Sequence, residues 1–451
     1  MAKVSTRFAC QACGAVYPKW QGRCSPPPAG CGAWNTLVEE AAPKRGKAAA
    51  PGVAASRALP VHAIDADLAA RIPTGIAELD RVLGGGAVLG GVTLVGGDPG
   101  VGKSTLLMQA LAGLSAKGCR SLYVSGEESA GQTAARARRL GAIAEDLLVL
   151  AENDLGVIER VIEEVQPTAL VVDSVQTVRV PELESGAGTV TQLREVASRL
   201  VERSKKDRIA TFLVGHVTKD GTLAGPKVLE HLVDTVLAFE GERGQAFRAL
   251  RTQKNRFGSA TEVGVFEMTG EGMREVPNPS AFFLSERPRG VSGSVVAATG
   301  EGDRAMLVEV QALVGALAVG SARRTANGVD GARLAMILAV LERKAGLHLA
   351  GCDVFVNVAG GVRVDEPALD LPVALAVASS LAGRPVAGDL VAFGEIGLAG
   401  EVRGVTRGPS RLAESAAMGF RRAIAPHSSP ESRDIEVVRV RSLEEALERC
   451  R

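Results

Sequence analysis

The segment Gly97-Asp-Pro-Gly-Val-Gly102-Lys103-Ser104 limits what this chain can fold into more than any other. It satisfies G-x-x-x-x-G-K-[ST] in full, with the apolar run VTLVG (92–96) before it and the helical run STLLMQALAGLSA after it. Backbone N–H groups can turn inward around phosphate oxygens only where no Cβ obstructs them, hence the glycines. The loop opens onto a helix N-terminus, whose partial positive charge favours an anion. Gly97, Asp98, Pro99, Gly100, Val101, Gly102, Lys103, Ser104 and Thr105 are therefore the expected ATP-binding residues. Lys103 is expected to reach the β- and γ-phosphates, and the Ser104 hydroxyl to ligate Mg²⁺.

A loop of this kind belongs between a strand and a helix, and the pattern around it agrees. Over residues 67–275 short apolar strands alternate with helical stretches: VTLVG, SLYVS (121–125), ALVVD (169–173), IATFLVG (209–215) and DTVLAF (234–239). Such alternation predicts a mostly parallel, buried sheet. The strand ending in Asp173 supplies the carboxylate expected in the Mg²⁺ shell. SLYVS leads into Gly126-Glu127-Glu128-Ser129, where Glu127, nearer the strand end, is the expected residue for polarising the attacking water. Glu128 and Ser129 fit the cap of the next helix. IATFLVG leads to His216, placed to sense the γ-phosphate.

With 46% hydrophobic and 23% charged residues over 451 positions, the chain is globular with more than one core. No run reaches the roughly 18 apolar residues of a membrane span, and the N-terminus lacks an apolar signal region, so a cytoplasmic location is expected. The net charge of +1 argues against a general basic footprint for nucleic acid, yet it is an average. Residues 1–60 hold eight basic residues against two acidic ones, so the N-terminal arm is basic and the remainder acidic. Basic arms meet phosphate backbones or are simply solvated.

Four of the seven cysteines, Cys10, Cys13, Cys24 and Cys31, fall within 22 residues. In a reducing cytosol such a cluster points to metal, and two pairs approaching from turns suit tetrahedral Zn²⁺. Tyr17, Trp20 and Trp34 share the module, either packed about the metal or available to stack on nucleic-acid bases. Residues 41–60, rich in Ala, Pro, Gly and basic side chains, read as a linker. Beyond Pro277, Pro279 and Pro288 a separate α+β or α/β unit begins. It carries a long helix near 331–344, a strand at DVFVNVAG, a helix at 371–381 and a final helix near 409–418.

TGIAELDRVLGGG (74–86), SGEES (125–129), VGHVTKDG (214–221) and the pentapeptide Lys254-Asn255-Arg256-Phe257-Gly258 together resemble the bacterial RadA (Sms) recombination proteins. The resemblance covers essentially the whole chain. It implies an α/β protein: a RecA-like P-loop ATPase core with an N-terminal zinc knuckle and a C-terminal Lon-protease-like domain. The implied division is a zinc module over 1–40, a basic linker over 41–66, the ATPase over 67–276 and the Lon-like domain over 277–451. It further implies a hexameric ring that binds single-stranded and branched DNA, works beside a RecA-type recombinase and drives branch migration. Lys254 and Arg256 would then reach the nucleotide of a neighbouring subunit. The family usually has two residues between its second pair of cysteines; here six separate Cys24 from Cys31.

The region from about 290 resembles the Lon protease domain at Pro367-Ala-Leu-Asp-Leu and Gly394-Glu-Ile-Gly-Leu-Ala-Gly-Glu-Val-Arg. Lon proteases use a Ser nucleophile activated by a Lys. Here the Ser position holds Ala368, the Lys position falls at or near Pro409, and residues 345–451 contain no Lys. A non-proteolytic scaffold is expected, with Ser379 and Ser380 as surface or packing residues. Arg384, Arg403, Arg407 and Arg411 are candidate phosphate contacts or members of a solvated face. Two other readings use the same motor: an ATP-dependent Lon-type protease, which the missing dyad opposes, and a KaiC-like switch, which the cysteine module and KNRFG oppose.

Overall fold

The computed structural model describes residues 6–10, 12–26, 29–41, 70–217, 223–224, 228–241, 247–301, 304–316, 322–361, 364 and 366–450. The basic linker 41–66, apart from Ala41, lies outside them, as does the stretch 218–222 that follows His216 and Val217. Two compact units emerge. One comprises Met1–Glu240, Leu250–Ala260 and Phe266–Glu275; the other comprises Gly241–Ala249, Thr261–Val265 and Val276–Arg451. Among the described residues no helix is long and apolar enough to cross a membrane.

In the first unit, residues 6–41 form a three-stranded antiparallel sheet in the order Val16–Tyr17, Thr6–Cys10, Leu37–Ala41. The remainder is organised on a larger sheet. Six adjacent strands of it run parallel: Thr235–Glu240, Val92–Gly96, Ala210–Val214, Ala169–Asp173, Ser121–Ser125 and Leu147–Ala151. The inner strands are buried on both faces, as their unbroken apolar runs require. One face packs on Leu106, Leu107, Leu111 and Leu114 of helix Lys103–Ser115, the other on Ile158, Leu193, Val196 and Leu200. Because strands of one direction end at one edge, the loops after Gly96, Ser125, Asp173 and Val214 gather there. The strand Ala210–Val214 lies between the phosphate-loop strand and the strand that ends in Asp173.

The second unit is built on a seven-stranded mixed sheet in the order Arg324–Asn327, Cys352–Val358, Arg304–Ala316, Ser294–Glu301, Leu390–Ala392, Arg422–Pro426, Glu436–Val440. Helices Gly331–Arg343 and Asp370–Ala382 pack together beside it. The expected last helix lies at Gly408–Ala417 but does not end the chain. Strands Arg422–Pro426 and Glu436–Val440 follow, then helix Leu443–Arg449, whose N-cap Ser442 accepts from the Glu445 N–H. That helix is short, and its S-x-x-E start was the one signal for it.

Arg411 is not the phosphate contact or solvated residue that its charge suggests. Its side chain is 1% exposed, pairs with both Glu366 carboxylate oxygens at 2.9 and 2.6 Å, and donates to the Thr406 carbonyl at 3.0 Å. Its guanidinium lies 5.8 Å from the Phe393 ring centre. Glu366 in turn accepts from the Gly300 N–H at 2.7 Å. Arg403 is exposed and held by Glu401, while Arg384 is exposed. Arg407 takes a left-handed conformation at the start of Gly408–Ala417. Ser379 and Ser380 satisfy backbone groups, accepting from Gly293 N–H at 2.9 Å and Val314 N–H at 3.0 Å. Arg411→Ala would strand Glu366 without its counter-charge. A loss of about 3 kcal/mol is expected, read as a lowered denaturant midpoint, whereas Arg403→Ala should leave the unfolding free energy within about 0.5 kcal/mol of wild type.

Candidate functional site

The phosphate loop leaves the sheet at Gly97 and enters helix Lys103–Ser115. Gly97, Gly100 and Gly102 have φ of +149°, +82° and +115°, a region that side-chain-bearing residues rarely enter. At Gly102 space as well as φ requires glycine: a Cβ there would sit 2.8 Å from Met268 Cε. The Lys103 ammonium is buried and curls back over the loop, donating to the carbonyls of Gly97 at 2.6 Å and Asp98 at 3.0 Å. Burial pushes its pKa below the ordinary lysine value, against the opposing pull of Asp173, Asp98 and Glu127. Both carboxylates that the sequence assigns to the reaction, Asp173 and Glu127, thus act electrostatically on this one cation. Ser104 and Thr105 follow in the first turn, with Asp98, Pro99 and Val101 in the loop.

Asp173 ends its strand with one strand, Ala210–Val214, lying between it and the strand that leads into the loop. The Tyr123 hydroxyl donates to Asp173 Oδ2. Burial first, then the Asp173 charge, raises the phenol's pKa, so it stays a donor. Arg136 reaches the same carboxylate at 3.9 Å and pairs with Glu128. Glu127 accepts from the Ser174 hydroxyl at 2.7 Å. Ser129 caps helix Ala130–Arg139 through a reciprocal bond with Gln132. The neighbouring glutamates therefore differ: Glu128 is tied to a helix, and Glu127 stands beside Asp173 and Ser174. A hydroxyl at Ser104 and a carboxylate at Asp173 are hard oxygen donors of the kind Mg²⁺ takes, so the residues present fit that ion. Tyr123 and Arg136 were not singled out from sequence. A Tyr inside an apolar strand reads as core, and Arg136 lies one strand and a helical turn away from the motif it serves.

The His216 backbone leaves the central strand between the phosphate-loop strand and Asp173, but its side chain lies outside the described residues. KNRFG lies elsewhere. Lys254 Nζ donates to the carbonyls of Glu230 at 2.6 Å and Val233 at 2.7 Å; burial, with the Arg256 charge added, lowers its pKa. Arg256 pairs with Asp234 at 3.1 Å and remains half exposed. Asp234 also accepts from the Val92 N–H, at the start of the phosphate-loop strand. Lys254 and Arg256 therefore sit at the opposite end of the parallel strands from Gly97, about 16 Å away for five residues of extended chain. Within one chain the structure does not bring them to Lys103.

In the cysteine module the four Sγ atoms all lie within 4.8 Å of one another. The Cys10–Cys31 and Cys13–Cys24 separations are 3.7 and 3.6 Å, close to the roughly 3.8 Å edge of a tetrahedron with 2.3 Å metal–sulfur bonds. The donor set fits zinc. The lengthened second loop still closes: Gly32 N–H donates to Ser25 carbonyl at 3.0 Å, and Cys31 N–H points at Cys24 Sγ at 3.4 Å; Pro27 and Pro28 lie outside the described residues. Gly30 has no room for a side chain, since a Cβ would lie 2.5 Å from Cys24 Sγ. Of the three aromatic residues, Tyr17 alone packs on the cluster, its hydroxyl 3.2 Å from Cys24 Sγ. Trp20 and Trp34 are exposed.

Comparison with known proteins agrees with this division of the chain. Residues 8–39 match a family described as a rubredoxin metal binding domain, residues 57–222 an AAA domain, and residues 329–429 the ChlI subunit of Mg-chelatase. Over its full length the chain is similar to proteins named DNA repair protein RadA. It is 50% identical over 457 residues to that of Pseudomonas aeruginosa and 47% identical to those of Bacillus subtilis and Halalkalibacterium halodurans, with 99% of each chain covered.

Metal analysis of the purified protein is expected to give one zinc per chain. Cys10→Ser should abolish it, because Cys10 is a fully buried corner of the tetrahedron. Iron in place of zinc, or full metal content in the variant, would contradict the assignment.

Proposed function

Because the chain belongs to the RadA family, we propose that it is a DNA-repair ATPase of the cytoplasm. In this reading a hexameric ring of copies binds single-stranded and branched DNA and drives branch migration beside a RecA-type recombinase. The convergence of Lys103, Asp173 and Glu127 at one edge of the parallel sheet carries this reading. In it the backbone N–H groups of Gly97 to Thr105, Pro99 excepted, cradle the phosphates of ATP. Lys103 exchanges its two carbonyl partners for phosphate oxygens. Ser104 and Asp173 hold Mg²⁺, which supplies charge neutralisation at the β- and γ-phosphates. Glu127 orients the attacking water, and His216 relays the state of the γ-phosphate to the segment beyond it.

Lys254 and Arg256 act in trans. Their remoteness from their own phosphate loop supports a site completed by the next subunit, where they offset charge developing on the transferred phosphoryl group. The zinc module (1–40) and basic linker (41–66) form a DNA-contacting arm on the motor (67–276). The Lon-like domain (277–451), lacking a Ser/Lys pair at Ala368 and Pro409, is a scaffold for ring assembly. The KaiC-like alternative, a switch without DNA, predicts turnover indifferent to single-stranded DNA.

ATP hydrolysis with and without single-stranded DNA, measured alongside the oligomer's mass by light scattering, tests the whole. Stimulation by DNA in a ring-sized species is expected; unstimulated turnover would favour the switch. Lys103→Ala should lose about 10²- to 10³-fold in hydrolysis. Arg256→Ala should lose about 10³-fold while keeping nucleotide binding. Mixing these two inactive variants should restore partial activity, because one supplies an intact phosphate loop and the other an intact Arg256. No recovery on mixing in a confirmed co-assembly would remove the action in trans.

A further inference from the structure

The chain is poor in aromatic residues, yet both of its tryptophans lie in the cysteine module and both face solvent, Trp20 at 59% and Trp34 at 68% exposure. Leaving two indoles in water forfeits burial that a small module needs. They hang from one hairpin. The Cys24 N–H donates to Ala33 carbonyl at 2.8 Å, the Asn35 N–H to Gly22 carbonyl at 2.8 Å, and Arg23 pairs with Trp34 between them. The Trp20 ring edge lies over Gly22. Arg23 donates to the Gly32 carbonyl at 2.8 Å and rests 5.4 Å from the Trp34 ring centre, so a cation is already fixed beside that ring. The hairpin is anchored by Cys24 and Cys31, and Thr36, two residues past Trp34, contacts Cys10 Sγ at 3.1 Å. Metal binding would hold both rings on a rigid support. Lys19 is exposed beside Trp20, and residues 1–60 carry a surplus of six positive charges.

We propose that Trp20 and Trp34 form a stacking platform for unpaired bases of single-stranded DNA, with Arg23 and Lys19 meeting the adjoining phosphates. Exposed rings with adjacent cations, one of which already covers one face of Trp34, match a ligand that alternates flat bases with anions. Duplex DNA, whose bases are already stacked, has nothing to offer the rings. The inference rests on the DNA-dependent reading above and deepens it, giving the metal module a direct share in single-strand capture.

The protein carries its own reporter, since all tryptophan emission comes from this module. Full-length protein with ADP is titrated with oligothymidylate and, separately, with a duplex of equal length. Tryptophan fluorescence and the anisotropy of a labelled oligonucleotide are followed together. Oligothymidylate should quench the emission at the same concentrations at which anisotropy rises, and the duplex should not. Trp34→Ala and Trp20→Ala should each weaken single-strand binding roughly tenfold at unchanged zinc content, with Trp34→Phe recovering part of the loss. Anisotropy rising without quenching, or both alanine variants binding as wild type, would overturn the platform while leaving the DNA-dependent motor standing. No binding of either DNA would remove both. Quenching by a recombinase and not by oligothymidylate would assign the rings to a protein surface instead.

Discussion

Six neighbouring strands pointing the same way impose the constraint on which the motor's chemistry depends. Parallel pairing forces every connection to cross back over a face of the sheet, so all the strand ends face one edge and all the strand beginnings the other. Gly97, Glu127, Asp173 and the backbone of His216 come from four separate strands, yet share that edge. None of them contacts another through sequence proximity; the sheet alone assembles them. The same directionality sends Asp234 and its partner Arg256 to the far edge. One sheet thus separates two charged sets that sequence motifs would list side by side.

The elements legible in the sequence were those written locally. VTLVG, SLYVS and ALVVD are continuous apolar runs between turn residues, and each is a strand within a residue of its expected limits. The phosphate loop declares itself because its glycines are required by backbone geometry within eight residues. Illegible were features that arise between distant segments. Tyr123 meets Asp173 across 50 positions, and Arg411 meets Glu366 across 45. An arginine buried by such a pairing carries the same letter as one in solvent. Residue 411 was for that reason read with Arg403, which does face water. Trp20 and Trp34 illustrate the converse: of the two roles open to them in sequence, packing about the metal or facing outward, the structure leaves both rings exposed.

Gly102 is needed so that the loop can turn beneath Met268, and Gly30 so that an enlarged loop can still bring Cys31 to Cys24. In both cases the functional atoms belong to neighbours, a lysine and a pair of thiols. The glycine contributes only the absence of a side chain. The longer spacing between Cys24 and Cys31 still leaves the four sulfurs within 4.8 Å of one another.

The Glu366–Arg411 pair limits what the second unit could be made to do. Its two members stand two residues from Ala368 and two from Pro409, the positions at which a Lon-type enzyme would carry its nucleophile and base. A buried guanidinium, clasped by a carboxylate and by backbone carbonyls, now ties those two segments together. Substituting serine and lysine at the two positions would leave this clasp in their midst, and releasing it costs several kcal/mol before any new chemistry could begin. The ground between the two segments is therefore already taken by an interaction that serves cohesion, and the buried ion pair would have to be displaced before any other pair of side chains could meet there.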